Sequence, residues 1–330
     1  MNKRLDRQGR VMEWLHGPQG VRWGTNPHDY DSEAVLSAMR HVQRFFGPRR
    51  YFSMQVEGLA QVPPAPVMVV SNHSGGTSIP DAWGLMLAWY EHFGVERPIH
   101  PMAHDMVFSN RVTGPFFSAR GALRADRELA IRVLRDFRRD LVVMPGGDLE
   151  TWRPYHERYK VRFSGRLGYA RMAIQAGVPI VPVAHAGAHE TLIVLARGER
   201  LARALHLPEL VRASIFPVHL SLPFGLTFGP FPHIPPPTLL RYRVATPVYP
   251  PVRVAPGEEP PEDAVRTLDR AVREAIQGEL AVLAWERETL LERVGARIRK
   301  AVQSPGAAIR ARAPLRWARE EPVGLCPPGS

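Results

Sequence analysis

In SNHSGGTSIPD, residues 71–81, a histidine and an acid are separated by two glycines and a proline, directly after the apolar run PVMVV. A neutral imidazole can take a proton from an attacking alcohol. A carboxylate bonded to its other nitrogen fixes the tautomer and stabilises the imidazolium that forms. His73 and Asp81 therefore form a candidate base and orienting acid. Gly75 and Gly76 can adopt backbone angles closed to other residues and could fold Asp81 back onto His73. A second reading stays open at this point: Ser78-x-x-Asp81 is also a capping box for the helix that follows, with Pro80 suited to its first turn.

Three further stretches carry chemistry-bearing residues. In PFFSARGALRADRE, Arg120 is expected to follow an apolar strand and could fork onto a phosphate or pair with an acid such as Asp126. In VVMPGGDLETWRP, a strand ending in Gly146 and Gly147 could bring backbone N–H groups to a ligand, with Asp148 and Glu150 beside them. It lacks the lysine of a phosphate-binding loop. His185 and His189, in PVAHAGAHET, have metal-like spacing but are separated by Gly187, and no HExxH motif includes them, so no metal site is expected. Neither a G-x-S-x-G elbow nor a G-x-G-x-x-G turn after a strand is present.

The elements that must position these residues alternate. A helix is expected over DSEAVLSAMRHVQRFF and a strand over YFSMQVEG. The strand PVMVV leads to a helix over AWGLMLAWYEHFG, and IHPMAHDMVF returns as strand and turn. RELAIRVLRDFRRD reads as a helix, LVVMPGGD as strand and turn, GRLGYARMAIQAG as a helix closed by Gly177, and PIVPVAHAG as a strand. This order predicts an α/β fold with a central, mostly buried β-sheet flanked by helices and a C-terminal helical extension. From Leu207 to Pro256 the proline and aromatic content predicts ordered loop, with RYRVATPV as a last strand. The expected organisation is an irregular lead-in at 1–30, an α/β domain at 31–260, an amphipathic helical segment at 261–303 and a basic, disordered tail at 304–330.

The 330 residues include one cysteine, Cys326, which excludes an internal disulfide or a cysteine-built metal site and fits a reducing compartment. No apolar run reaches the roughly 18–20 residues of a membrane span, and the first residues lack a signal-peptide core. A cytoplasmic protein is expected. The net charge of +11 comes almost wholly from arginine, since only Lys3, Lys160 and Lys300 are lysines. Residues 291–330 hold eight basic residues against Glu292, Glu320 and Glu321. Such a block suits an anionic surface, lipid or nucleic acid, or is simply a solvated tail.

In order, VVSNHSGGTSIPD, GPFFSARGALRADRELA, VVMPGGDLE and GRLGYARMAIQAGVPIVPV resemble the four blocks of the phospholipid/glycerol acyltransferase (lysophospholipid acyltransferase) family, from about Val56 to Val248. The resemblance implies acyl transfer from a thioester on coenzyme A or acyl carrier protein to a lipid hydroxyl. His73 would be the general base and Asp81 its orienting acid. Asn72, Gly75, Gly76, Arg120, Gly146, Gly147 and Glu150 would form the acceptor site. It implies no metal and no cofactor beyond the thioester co-substrate. The seven residues between His73 and Asp81, with Ser-Gly-Gly, resemble one bacterial branch; the commonest spacing is four. Pro145-Gly146-Gly147 stands where Pro-Glu-Gly is usual, as in branches that acylate neutral acceptors. The expected setting is the inner face of the cell membrane, bound peripherally and without nucleic acid. A hydrolase on the same fold and a basic nucleic-acid-binding module are the alternatives; no helix-turn-helix, zinc or RNA-binding signature supports the latter.

Overall fold

The computed structural model describes residues 22–206, 215–229, 231 and 233–303, with side chains as far as Arg287. In chain order the strands are β1 (Phe52–Glu57), β2 (Met68–Ser71), β3 (Ile99–Ala103), β4 (Leu123–Arg124), β5 (Asp140–Val143), β6 (Ile180–Ala186), β7 (Ile193–Ala196), β8 (Val218–Ser221), β9 (Gly225–Phe228) and β10 (Thr238–Val244). The helices are α1 (Ser32–Val42), α2 (Pro80–Phe93), α3 (Thr113–Ala119), α4 (Arg127–Arg135), α5 (Gly147–Thr151), α6 (Gly168–Ala176), α7 (Glu199–Ala204) and α8 (Glu262–Gln303).

Seven strands form one sheet in the order β1-β10-β6-β2-β5-β3-β4. The five from β6 to β4 are mutually parallel, whereas β10 runs antiparallel to β6 and parallel to β1. Strand alternation divides the core into two layers. Met68, Val70, Leu141 and Ile180 face a cluster with α4, α6 and α8, while Val69, Val142 and Val181 face one with α1 and α2. This is the expected α/β architecture, with both faces of the sheet covered.

Local signals set several helix ends. Asp31 Oδ1 accepts from Glu33 N and Ala34 N at 2.9 and 3.3 Å, and Asp126 Oδ1 from Leu129 N at 2.8 Å. Gly177, at φ 66°, ends α6 in the left-handed region.

Two expectations need correction. The apolar stretch before Arg120 is the helix α3, not a strand. The expected loop between Leu207 and Pro256 contains β8 and β9, which join β7 in a separate three-stranded antiparallel sheet. Short outward-facing apolar repeats there lack the long run by which a core strand is recognised.

The chain divides into two compact units, Met1–Ala284 and Trp285–Ser330. Within the first, Val265, Leu268, Val272, Ile276, Leu280 and Leu283 of α8 are buried in the same cluster as α4 and α6. This part of the expected amphipathic segment is core. The rest of the expected segment, from residue 288 on, and the basic tail at 304–330 lie outside the described side chains.

Candidate active site

The central strands β6, β2 and β5 lie side by side, and from their carboxyl ends come His185, the His73 loop and the Pro-Gly-Gly turn. Ligands of open α/β sheets bind beyond such strand ends.

After β2 the loop reverses tightly. Gly75 and Gly76 have φ 97° and 61°, and Ile79, at φ 38°, leads into α2. A Cβ on Gly75 would lie 2.6 Å from Pro80 Cδ, and one on Gly76 would strike Leu192. Both positions thus require glycine for conformation and for space. The reversal brings Asp81, in the first turn of α2, under His73: Nδ1 and Oδ2 are 2.7 Å apart. Ser74 N donates to the same oxygen at 2.8 Å. Ser78 does not cap the helix; its hydroxyl donates to the Gly75 carbonyl. Of the two readings open in the sequence, the histidine–acid contact is the one formed.

With its Nδ1 hydrogen directed at Asp81, neutral His73 carries the acceptor lone pair on Nε2. No side chain or backbone group among the described residues occupies that nitrogen, and the ring is 15% exposed. Burial pulls the imidazole pKa down, but the charge and hydrogen bond of Asp81, helped by Glu150, outweigh it and hold the pKa above 6.5. For Asp81 burial acts upward, yet His73, His185 and the Ser74 amide together hold its carboxyl below the ordinary value.

A second histidine, which sequence spacing suggested only as a metal ligand, stands behind the pair. His185 Nε2 lies 2.9 Å from Ser74 Oγ and 3.4 Å from Asp81 Oδ2. Burial pushes it down to about 4, so it is neutral at physiological pH. Among the described residues no cluster of three or more potential metal ligands occurs.

Asn72 is buried. Its side chain donates to His185 O at 3.0 Å and accepts from His185 N at 2.9 Å, extending the β2–β6 ladder by one side-chain rung. In these bonds the amide acts as a buried clip between β2 and β6.

The Pro-Gly-Gly turn leads into α5. Glu150 is fully buried and accepts from Arg153 Nη1 at 2.8 Å and Arg162 N at 3.1 Å through Oε1, while its Oε2 has no hydrogen-bond partner. Burial, acting against Arg153, leaves its pKa raised. Arg153, equally buried, also bonds the carbonyls of Lys160 and Arg158 and lies 2.7 Å from His189 Nε2. A Cβ on Gly146 would collide with Glu150. Gly146 is therefore needed for close packing inside the turn, and Gly147 N is already bonded to Met144 O. Asp148 is drawn to Arg166 at 2.9 Å.

Arg120 is not part of this constellation. The adjacent Gly121 carbonyl bonds His100, whose strand partner Leu141 also pairs with Met68 at the start of β2. His73 lies beyond the other end of that strand. The Arg120 guanidinium donates to Phe116 O at 2.7 Å and stacks 3.6 Å from the Phe116 ring.

Residues 53–186 match the family model described as Acyltransferase. This segment is therefore similar to acyltransferase domains. It contains the His73 loop, the Pro-Gly-Gly turn and His185. The chain is 30% identical over 220 residues to an uncharacterized protein of Mycobacterium tuberculosis, covering 66% of this chain and 59% of that protein. A protein of Mycobacterium leprae, also uncharacterized, is 28% identical over 271 residues, covering 82% and 69%. The chain thus spans less than two thirds of the length of the first of these relatives. Among solved structures it is similar to the 1-acyl-sn-glycerophosphate (LPA) acyltransferase PlsC from Thermotoga maritima, with 15% identity, a TM-score of 0.47 and coverage of 86% and 84%.

Proposed function

We propose that this domain moves a fatty acyl group from a thioester of coenzyme A or acyl carrier protein to the hydroxyl of a glycerolipid or related lipid alcohol, with His73 as general base. The observation that carries this reading is the 2.7 Å contact between His73 Nδ1 and Asp81, which leaves Nε2 unpartnered and directed away from the acid. Nε2 takes the proton of the acceptor hydroxyl as its oxygen attacks the thioester carbonyl carbon. When the tetrahedral intermediate collapses, the C–S bond breaks and the thiolate leaves, recovering the proton from His73. Asp81 remains ionised throughout and stabilises the imidazolium. His185 and Ser74 act by holding the acid in place. Glu150, with one buried oxygen uncommitted, is the polar group of the Pro-Gly-Gly turn best suited to orient a hydroxyl.

Among the described residues, the guanidinium groups at the turn are already engaged: Arg153 by Glu150, His189 and carbonyls, and Arg166 by the Pro145 and Gly146 carbonyls and Asp148. This favours neutral lipid alcohols among possible acceptors. Incubation with labelled acyl-CoA or acyl carrier protein and a panel of lysophospholipids, monoacylglycerol, diacylglycerol and long-chain alcohols tests the proposal. An acylated lipid is expected; free fatty acid formed equally with and without acceptor would instead identify a hydrolase.

A further inference from the structure

The three-stranded sheet is built inside out. On β8, β9 and their turn, Leu220, Leu222, Phe224, Leu226 and Phe228 fall at alternate positions, and each is between 43% and 55% exposed. Ile193, Leu220 and Leu226 align across the three strands on this outer face. The inner face carries the polar residues. His219 and Ser221 are buried and bond through Thr227: Ser221 Oγ and His219 Nδ1 each lie 2.9 Å from Thr227 Oγ1, and His219 Nε2 lies 2.9 Å from Gly229 O. A hairpin facing water shows the opposite alternation, and a contiguous apolar face of this kind marks an interaction surface. From Ala213 to Leu240 the sequence contains no Asp, Glu, Lys or Arg.

Cations adjoin the sheet at two places. Exposed Arg200 and Arg203 lie on α7, which follows β7. Exposed Arg49 and Arg50 precede Tyr51, whose hydroxyl donates to the Pro235 carbonyl at 2.8 Å, next to Ile234, which bridges Leu222 at the end of β8. An apolar centre with a cationic rim is complementary to an anionic lipid leaflet, whose acyl region accepts the side chains and whose headgroups meet the arginines. The sheet also adjoins the His73 loop. His233 Nε2 lies 3.3 Å from Ser78 Oγ, and Leu192, immediately before β7, abuts Gly76.

We propose that the outer face of the β7-β8-β9 sheet seats the protein on an anionic lipid leaflet, placing the His73 loop beside the membrane surface. The choice of a leaflet as occupant rests on the cationic rim and on the proposed lipid acceptor.

The test uses the full chain with Cys326→Ser and an environment-sensitive fluorophore attached through Leu226→Cys, or through Glu128→Cys on α4 as control. Vesicles of phosphatidylcholine and phosphatidylglycerol are expected to shift the emission to the blue at position 226 and not at 128, with a weaker effect when phosphatidylglycerol is omitted. In the unlabelled chain, Leu220→Ser with Leu226→Ser should lower vesicle partitioning at least about tenfold, the thermal midpoint being followed as a check on folding. An unshifted label at position 226 in the presence of vesicles overturns the proposal. So does a blue shift that appears without vesicles as protein concentration rises, together with sedimentation as a dimer, which would assign the face to a second copy. Both readouts are independent of turnover. Vesicle insertion without acyl transfer would leave docking intact and reject the proposed reaction.

Discussion

At the scale of single residues, the chemistry depends on which nitrogen of His73 is free. His73→Ala removes the base and is expected to lower kcat by at least about 10²-fold while leaving the circular dichroism spectrum intact. A folded variant with near-normal transfer would reject the mechanism. Because Asp81 and Glu150 together raise the His73 pKa against burial, the acid limb of the pH–rate profile should fall above 6.5. Activity rises with pH through that value as the imidazole loses its proton. Asp81→Asn removes the main electrostatic support, so the limb should move to lower pH even as kcat falls, by as much as about 10⁴-fold if the wrong tautomer is favoured. An unmoved limb, measured as kcat/KM against pH, would show that Asp81 does not govern His73. By contrast Arg120→Lys should leave kcat and KM for every acceptor close to the parent, since its guanidinium serves α3.

Among the elements, the junction of β2, β6 and the glycine loop controls geometry. Asn72→Ala would leave the His185 N–H and C=O without their partners in a buried site. Each such orphan costs about 1–3 kcal/mol, so a loss of at least about 2 kcal/mol is expected in urea denaturation. Activity should fall with it because His185 supports Ser74 and, through it, Asp81. Gly76→Ala adds left-handed strain, about 1–2 kcal/mol for a residue with a Cβ, to a collision with Leu192. A variant as stable as the parent would mean that the loop can reopen.

For the whole molecule, pH dependence of stability combines groups of opposite sign. His100 and His185 are buried with pKa values lowered to about 4. Between about 6.5 and about 4 the unfolded chain binds protons at these sites that the folded chain refuses, so stability declines as pH falls, by up to about 1.4 kcal/mol per pH unit for each proton. Asp81, whose folded pKa is depressed, contributes stability above the ordinary carboxylate range and loses it as pH falls through the folded value. His73 acts in reverse: its folded pKa is raised, so its contribution is complete below about 6.5 and is lost as pH rises through the folded value. His189, buried beside Arg153, is also lowered well below its ordinary value and acts in the same direction as His100 and His185. Urea midpoints at pH 7 and pH 5 should therefore show the lower stability at pH 5, with His100, His185 and His189 outweighing His73, and a higher midpoint at pH 5 would reverse that balance.

The sequence by itself determined the alternation of strands and helices, the sheet flanked by helices, and the histidine and acid of one short loop. These are local: apolar periodicity marks each element, and eight residues with two glycines suffice to bring Asp81 to His73. Even there the capping alternative was settled only by the left-handed turn at Ile79, which starts α2 without Ser78. What the tertiary structure decided depends on pairings distant in the chain. His185 reaches Ser74 across 111 residues, and nothing in its own neighbourhood distinguishes a neutral supporting imidazole from a metal ligand. Asn72 reads as a ligand contact until its amide is found bonded to the β6 backbone, and Arg120 as a site residue until strand register puts its backbone at the opposite end of the sheet. The hairpin of β8 and β9 was hidden because its apolar residues point outward. Period-two alternation reveals two faces, but only the packing of His219 and Ser221 against the rest of the fold reveals which face is buried.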